Sequence, residues 1–232
     1  NDPDWLEIYN PTNATISLSG YFLSDNETDF QKWAFPDTTI DTGDFILIFA
    51  SGKGEGSIFL HTNFELSQAG ELLTLSDSVA NIIDQVDLPF LQTDHSFGLE
   101  NDSVQFVYFD APTPGFSNAG SVGYEGYATE PEFSLPEGFY SGPINVSLAS
   151  DDTGSSIQYT FNGKEVADTS SVYSGPISVD STTIISAIAV ALGKLNSQPV
   201  HNSYFIDDES TLPVISIITE PTRLWGDSGI YI

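Results

Sequence analysis

The chain has 232 residues, 40% hydrophobic and 12% aromatic, enough for one large β domain or two of ordinary size. Thirty-three acidic residues stand against five basic ones, a net charge of −28, so nucleic-acid phosphates and anionic membrane surfaces are repelled rather than bound. Cysteine and methionine are both absent, which excludes disulfides, thiolate metal sites and cysteine nucleophiles. No run of 18 apolar residues exists, so no membrane insertion is predicted.

The first half reads as short strands separated by Gly, Pro, Asn and Asp. Trp5-Leu6-Glu7-Ile8-Tyr9 alternates and is stopped by Asn10-Pro11. Residues 16–18 alternate and end at Gly20, 45–49 form an apolar run of strand length, and 72–75 and 82–86 follow the same style. No segment sustains a helical period for three turns, and the pattern predicts an antiparallel sandwich. Asp-Trp-Leu-Glu-Ile-Tyr-Asn-Pro-Thr from Asp4 resembles the lamin-tail domain in its bacterial extracellular form. So do Leu18-Ser19-Gly20-Tyr21, Lys32-Trp33-Ala34-Phe35-Pro36, His61-Thr62-Asn63-Phe64, Gly70-Glu71-Leu72 and Pro112-Thr113-Pro114-Gly115 with Asn118. The resemblance implies an immunoglobulin-like sandwich. That family's usual opening strand is missing before Asn1. Trp5 and Trp33 read as packing residues, and Asn10 and Glu7 as groups that satisfy turns and loop amides.

Residues 119–130 (AGSVGYEGYATE) are small, polar and turn-rich, and are expected to be a linker. Beyond them, 144–148 and 157–161 alternate, Asn162-Gly163 is a hairpin signal, 184–190 suit a buried strand and 204–206 close the set. Ile157-Gln158-Tyr159-Thr160, Asn162-Gly163, Ser171-Val172-Tyr173, Gly175-Pro176-Ile177 and Thr182-Thr183 resemble the chitobiase and β-hexosaminidase C-terminal-type domain. That resemblance implies a second immunoglobulin-like sandwich, an accessory domain without chemistry of its own.

The last stretch contains Leu212-Pro213-Val214-Ile215-Ser216-Ile217, Glu220-Pro221, Leu224-Trp225 and Gly229-Ile230-Tyr231. It resembles the opening of the spore-coat CotH kinase domain, whose nucleotide and metal residues would lie beyond Ile232. This interrupted pattern and the missing methionine read as a piece of a larger protein. Residues 214–218 are expected to form a strand that docks on a β module, in cis or from a neighbouring molecule, which allows a strand-mediated dimer.

The fold expectation is therefore all-β, two immunoglobulin-like sandwiches in tandem over 1–118 and 131–207, with an extension over 208–232. No catalytic or cofactor-binding residue is assigned. His61, His95 and His201 lack a partner at metal-pair spacing. Calcium is the one cofactor considered, with Asp25 and Asp29 in one oxygen-rich loop and Asp151 and Asp152 in another; neither has EF-hand spacing. The functional expectation is a non-catalytic spacer and interaction piece of a secreted or cell-surface bacterial protein, partnered by a protein or glycan. Two other readings are a module that binds glycan or a surface protein, with Tyr124, Tyr127, Phe139 and Tyr140 as its platform, and part of a secreted hydrolase.

Overall fold

The computed structural model describes residues 3–54, 58–100, 104–210, 212–219 and 221–224. They divide into two compact units, one ending at Gly123 and the next beginning at Tyr124. Among the described residues the only helix is Pro221–Leu224, and no helix is long and apolar enough to cross a membrane.

The first unit holds β1 (Asp4–Tyr9), β2 (Ile16–Ser17), β3 (Phe22–Ser24), β4 (Trp33–Ala34), β5 (Thr39–Ile40) and β6 (Phe45–Ala50). It continues with β7 (Leu60–His61), β8 (Glu71–Ser76), β9 (Ile82–Leu88), β10 (Ser96–Leu99) and β11 (Phe106–Phe109). One sheet runs β1-β6-β7 and another β4-β3-β8-β9, with β2-β5 and β10-β11 as separate pairs. Alternation decides which side chains meet. In the antiparallel β1·β6 pair, Leu6 lies opposite Ile48 and Ile8 opposite Ile46, all directed into the core. There they join Leu23 and Trp33 of the facing sheet, with Leu18, Phe35, Ile40 and Phe64 closing the gaps. Leu6, Ile8, Leu18, Ile46 and Ile48 of this core lie in strands read from spacing, whereas Leu23 and Ile40 lie in none of them. Trp33 is buried and meets Phe35 edge-on at 4.8 Å, as a packing residue should.

The second unit holds β12 (Glu132–Phe133), β13 (Gly138–Tyr140), β14 (Ile144–Val146), β15 (Leu148–Ala149), β16 (Ser156–Phe161) and β17 (Ser171–Val172). Its last strands are β18 (Ile177–Val179), β19 (Thr183–Val190) and β20 (Val200–Ile206). A five-stranded sheet, β13-β20-β19-β16-β17, faces the pairs β14-β18 and β12-β15. Ile157, Ile185, Ala187, Tyr204 and Ile206 of the large sheet pack against Val146, Leu148, Ile177 and Val179. This is the second sandwich.

The stretch expected to be a linker is divided between the units. Ser121 donates its N–H to Asn118 O, and Gly123 lies so close to β11 that a Cβ there would come within 2.8 Å of Val107 Cγ2. Residues from 125 onward are laid against the second unit. Glu125 N–H donates to Gly193 O, Leu195 N–H to Gly126 O and Ala128 N–H to Leu195 O, with Ala128 buried. Small residues read as flexible in sequence are here what lets one backbone lie close beside another.

The strand expected over 214–218 does not form. Residues 212–219 have no ladder, and Leu212, Ile215 and Ile217 are exposed. Trp225 and residues 229–231 of the tail motif lie outside the described residues.

Candidate functional site

The polar residues of the first unit's motifs are spent on its own backbone. Asn10 ends β1 and is 1% exposed. Its Nδ2 donates to the carbonyls of Ala14 (2.8 Å) and Ile40 (3.0 Å), while its Oδ1 accepts from Thr12 N–H and Thr12 Oγ1. One amide therefore ties the turn after β1 to the end of β5. Glu7 points to the outward side of β1, between Trp5 and Tyr9, and its Oε2 accepts from Gly115 N–H at 2.8 Å. Partial burial raises the Glu7 pKa, and the Gly115 hydrogen bond offsets some of that rise. Asn118 accepts from Thr113 Oγ1 and donates to Leu99 O, so it closes the 113–118 loop and ties it to the end of β10. His61 Nδ1 lies 2.9 Å from Ser51 Oγ, and its ring stacks on Phe49. These arrangements fix loops; none sets a nucleophile beside a base in a concavity.

The four candidate calcium ligands are placed in two separate loops. Asp25 grips Lys32 Nζ with both oxygens, at 2.6 and 2.9 Å. Asp29 Oδ1 accepts from Gln31 N–H, and its carbonyl accepts from Ser24 Oγ. The loop between them is wound around Asn26, whose Oδ1 accepts from Thr28 N–H and Thr28 Oγ1. In the second loop Asp152 pairs with Lys194 and accepts from Thr129 N–H at 2.6 Å. The Lys194 hydrogen bond, then that of Thr129, holds the Asp152 pKa below the usual carboxylate value. Asp151 has no ion pair or hydrogen bond among the described residues. Asp151 and Asp152 line an open concavity of about 570 Å³ with Ser150, Thr153, Ser156 and Tyr173. Among the described residues no three His, Asp or Glu side chains converge as metal ligands.

The four aromatic platform residues do not act together. Tyr140 turns to the core side, packs beside Tyr204 and donates its hydroxyl to Pro136 O. Phe139 points the other way, is 47% exposed and stacks on Phe205 at 4.7 Å. Tyr124 and Tyr127 are half-buried beside the junction.

Sequence reasoning missed the character of the large sheet of the second unit. None of the residues of β13, β16, β17, β19 and β20 is Asp, Glu, Lys or Arg, in a chain that carries 33 acidic side chains. On its outward face Ser186, Ile188, Ser203 and Gln158 are buried although they point away from the core. Ser186 Oγ lies 2.7 Å from His201 Nδ1 on the neighbouring strand, and Gln158 Oε1 has no hydrogen-bond partner among the described residues. His201 keeps ring surface in water, but the partial burial of the imidazole lowers its pKa. The absence of charge from these five segments was visible in the sequence; that they form one sheet was not.

Residues 1–89 match the family profile described as Lamin Tail Domain, and residues 135–202 match that of the Chitobiase/beta-hexosaminidase C-terminal domain. No curated protein matches the chain. Each unit thus contains a stretch similar to one of these two families, the lamin tail domain in the first and the chitobiase/β-hexosaminidase C-terminal domain in the second.

Proposed function

We propose that this chain is a pair of non-catalytic spacer and interaction modules from a secreted or cell-surface bacterial protein. In that reading they present a following domain of the spore-coat CotH kinase type, whose opening residues 212–232 resemble. The observation that carries the reading is how the motif residues are used. Glu7, Asn10, Asn118 and Asp152 each direct their polar atoms at a backbone group or a lysine of their own unit. Residues committed in this way hold a shape and leave nothing poised for proton transfer. The partners are then proteins or glycans at the cell surface, met by exposed faces rather than by a deep cleft.

One observation favours glycan contact as a second reading. The Phe139–Phe205 stack offers an exposed aromatic face beside hydroxyl-bearing strands. The test applies the purified chain to a glycan array and to turnover assays with phosphoester, ester and glycoside substrates. No turnover is the expected result, and array retention is expected only where the partner is a glycan. Turnover that follows the chain through purification would sink the non-catalytic reading. Retention lost in Phe139→Ala would replace the spacer role with the glycan-binding one.

A further inference from the structure

We propose that residues 212–219 and 221–224 belong to a releasable strap across the uncharged outer face of the second unit's five-stranded sheet. The idea deepens the non-catalytic reading by naming a surface that the chain itself keeps covered. Three contacts of different kinds seat the strap. Ser216 Oγ lies 2.8 Å from Ser203 Oγ of β20. The backbone of Thr219 lies over the turn after β16, so close that a Cβ on Gly163 would come within 2.8 Å of Thr219 O. Arg223 then reaches Glu165 at 3.5 Å.

The direction follows from register. Ser203 lies opposite Ile184 on β19, and Asn162 N–H donates to Ile184 O, so Ser203, Ile184 and Asn162 form one row across three strands. That row spans two interstrand spacings, about 10 Å. The three residues from Ser216 to Thr219 reach about the same distance when extended. The strap therefore crosses the strands instead of running beside one, which is why no ladder forms.

The chemistry of both surfaces fits this seating. A carboxylate or ammonium under the strap would have to lose water without a partner, and the sheet has neither. Residues 212–219 (LPVISIIT) are likewise uncharged. Ile218 and Thr219 are half-buried, while Leu212, Ile215 and Ile217 face water at 75%, 87% and 78% exposure. The hold is light: a pair of hydroxyls, one close backbone approach and an ion pair exposed on both sides. Lifting the strap bares Ser203 and the uncharged row that it shares with Ile184 and Asn162.

Because the chain has no cysteine, a single nitroxide can be placed at I217C, on a side chain that faces water. The expected result is loss of the amide NMR signals of Ser203, Ile184 and Asn162, equal in dilute and concentrated samples. Ser216→Lys puts a charge under the strap without altering the sheet and should restore those signals. Ser203→Lys should do the same from the other side. Undiminished signals in the labelled parent would overturn the proposal. So would losses that fade on dilution, which would place the segment on a second molecule. Either result leaves the array and turnover tests of the non-catalytic reading untouched.

Discussion

The two units reach the same architecture by different means. In the first, acidic residues sit within the strands themselves, at Asp4, Glu7, Glu71, Asp84 and Asp87, and long-range side-chain-to-backbone ties close the loops. In the second, the main sheet is free of charged residues apart from what His201 can acquire, and β19 is an almost unbroken buried run. The first unit thus depends on a few directional hydrogen bonds whose loss strands buried partners. The second depends on apolar area, which is spread over many side chains and needs no single donor.

The sharpest way to break this comparison is a cavity in the second unit. Ile185 is fully buried at the centre of β19, and Ile185→Ala should cost about 2–5 kcal/mol. Amide hydrogen exchange on the intact chain should show faster opening of the second unit alone. Asn10→Ala is the matching experiment in the first unit. It leaves the Ile40 carbonyl buried and short of a donor, and removes the acceptor for Thr12, so about 2–4 kcal/mol should be lost there. An Asn10→Ala loss under half a kcal/mol would mean the first unit is held by apolar packing after all.

A smaller effect concerns Glu7. Its folded pKa is raised above 4.5, so the folded state binds its proton more readily than the unfolded state does. Its contribution to stability is present in full below about pH 4.5 and falls away as pH rises through the raised value. Glu7→Gln should flatten that part of the first unit's melting-temperature profile and leave the second unit's profile as it was. Identical slopes in parent and variant would show that the Gly115 hydrogen bond cancels the effect of burial.

Calcium gives the smallest expected effect. In the second unit Lys194 occupies Asp152, so millimolar calcium against excess chelator should leave the parent's melting temperature where it was. Lys194→Met frees Asp152 beside the unpaired Asp151, and a calcium-dependent rise should then appear. A rise already present in the parent would show that the ion displaces the lysine.

Much of this was legible in the residues. Alternation at 5–9 and 157–161 and the apolar run at 45–49 marked strands because each has one face in a core. Glu7 was read as a group for loop amides, and the amide proved to be that of Gly115. What stayed hidden depends on distant pairing. Nothing local in Gly-Tyr-Glu-Gly-Tyr-Ala announces that it will lie beside residues 193–195, since the partner is about seventy positions away and small side chains carry no periodicity. Asp25 and Asp152, read in the sequence as calcium candidates, each hold a lysine, 7 and 42 positions away, that no local pattern announces. The tail read as a strand because its composition is that of one, but the ladder that makes a strand is supplied by a neighbour, and none runs parallel to it.

The hydrogen bond from Gly115 to Glu7 joins residues 108 positions apart. A chain that emerges amino end first must therefore hold β1 with its carboxylate unanswered until nearly the whole first unit has been made. Contacts of such separation carry a large loop-closure cost and slow the search for the native state. Completion of this unit is in effect timed by the appearance of the Pro-Thr-Pro-Gly loop, so a polypeptide halted at residue 89, where the lamin-tail match ends, would hold β1 on β6 but leave the Glu7 carboxylate waiting for its Gly115 donor.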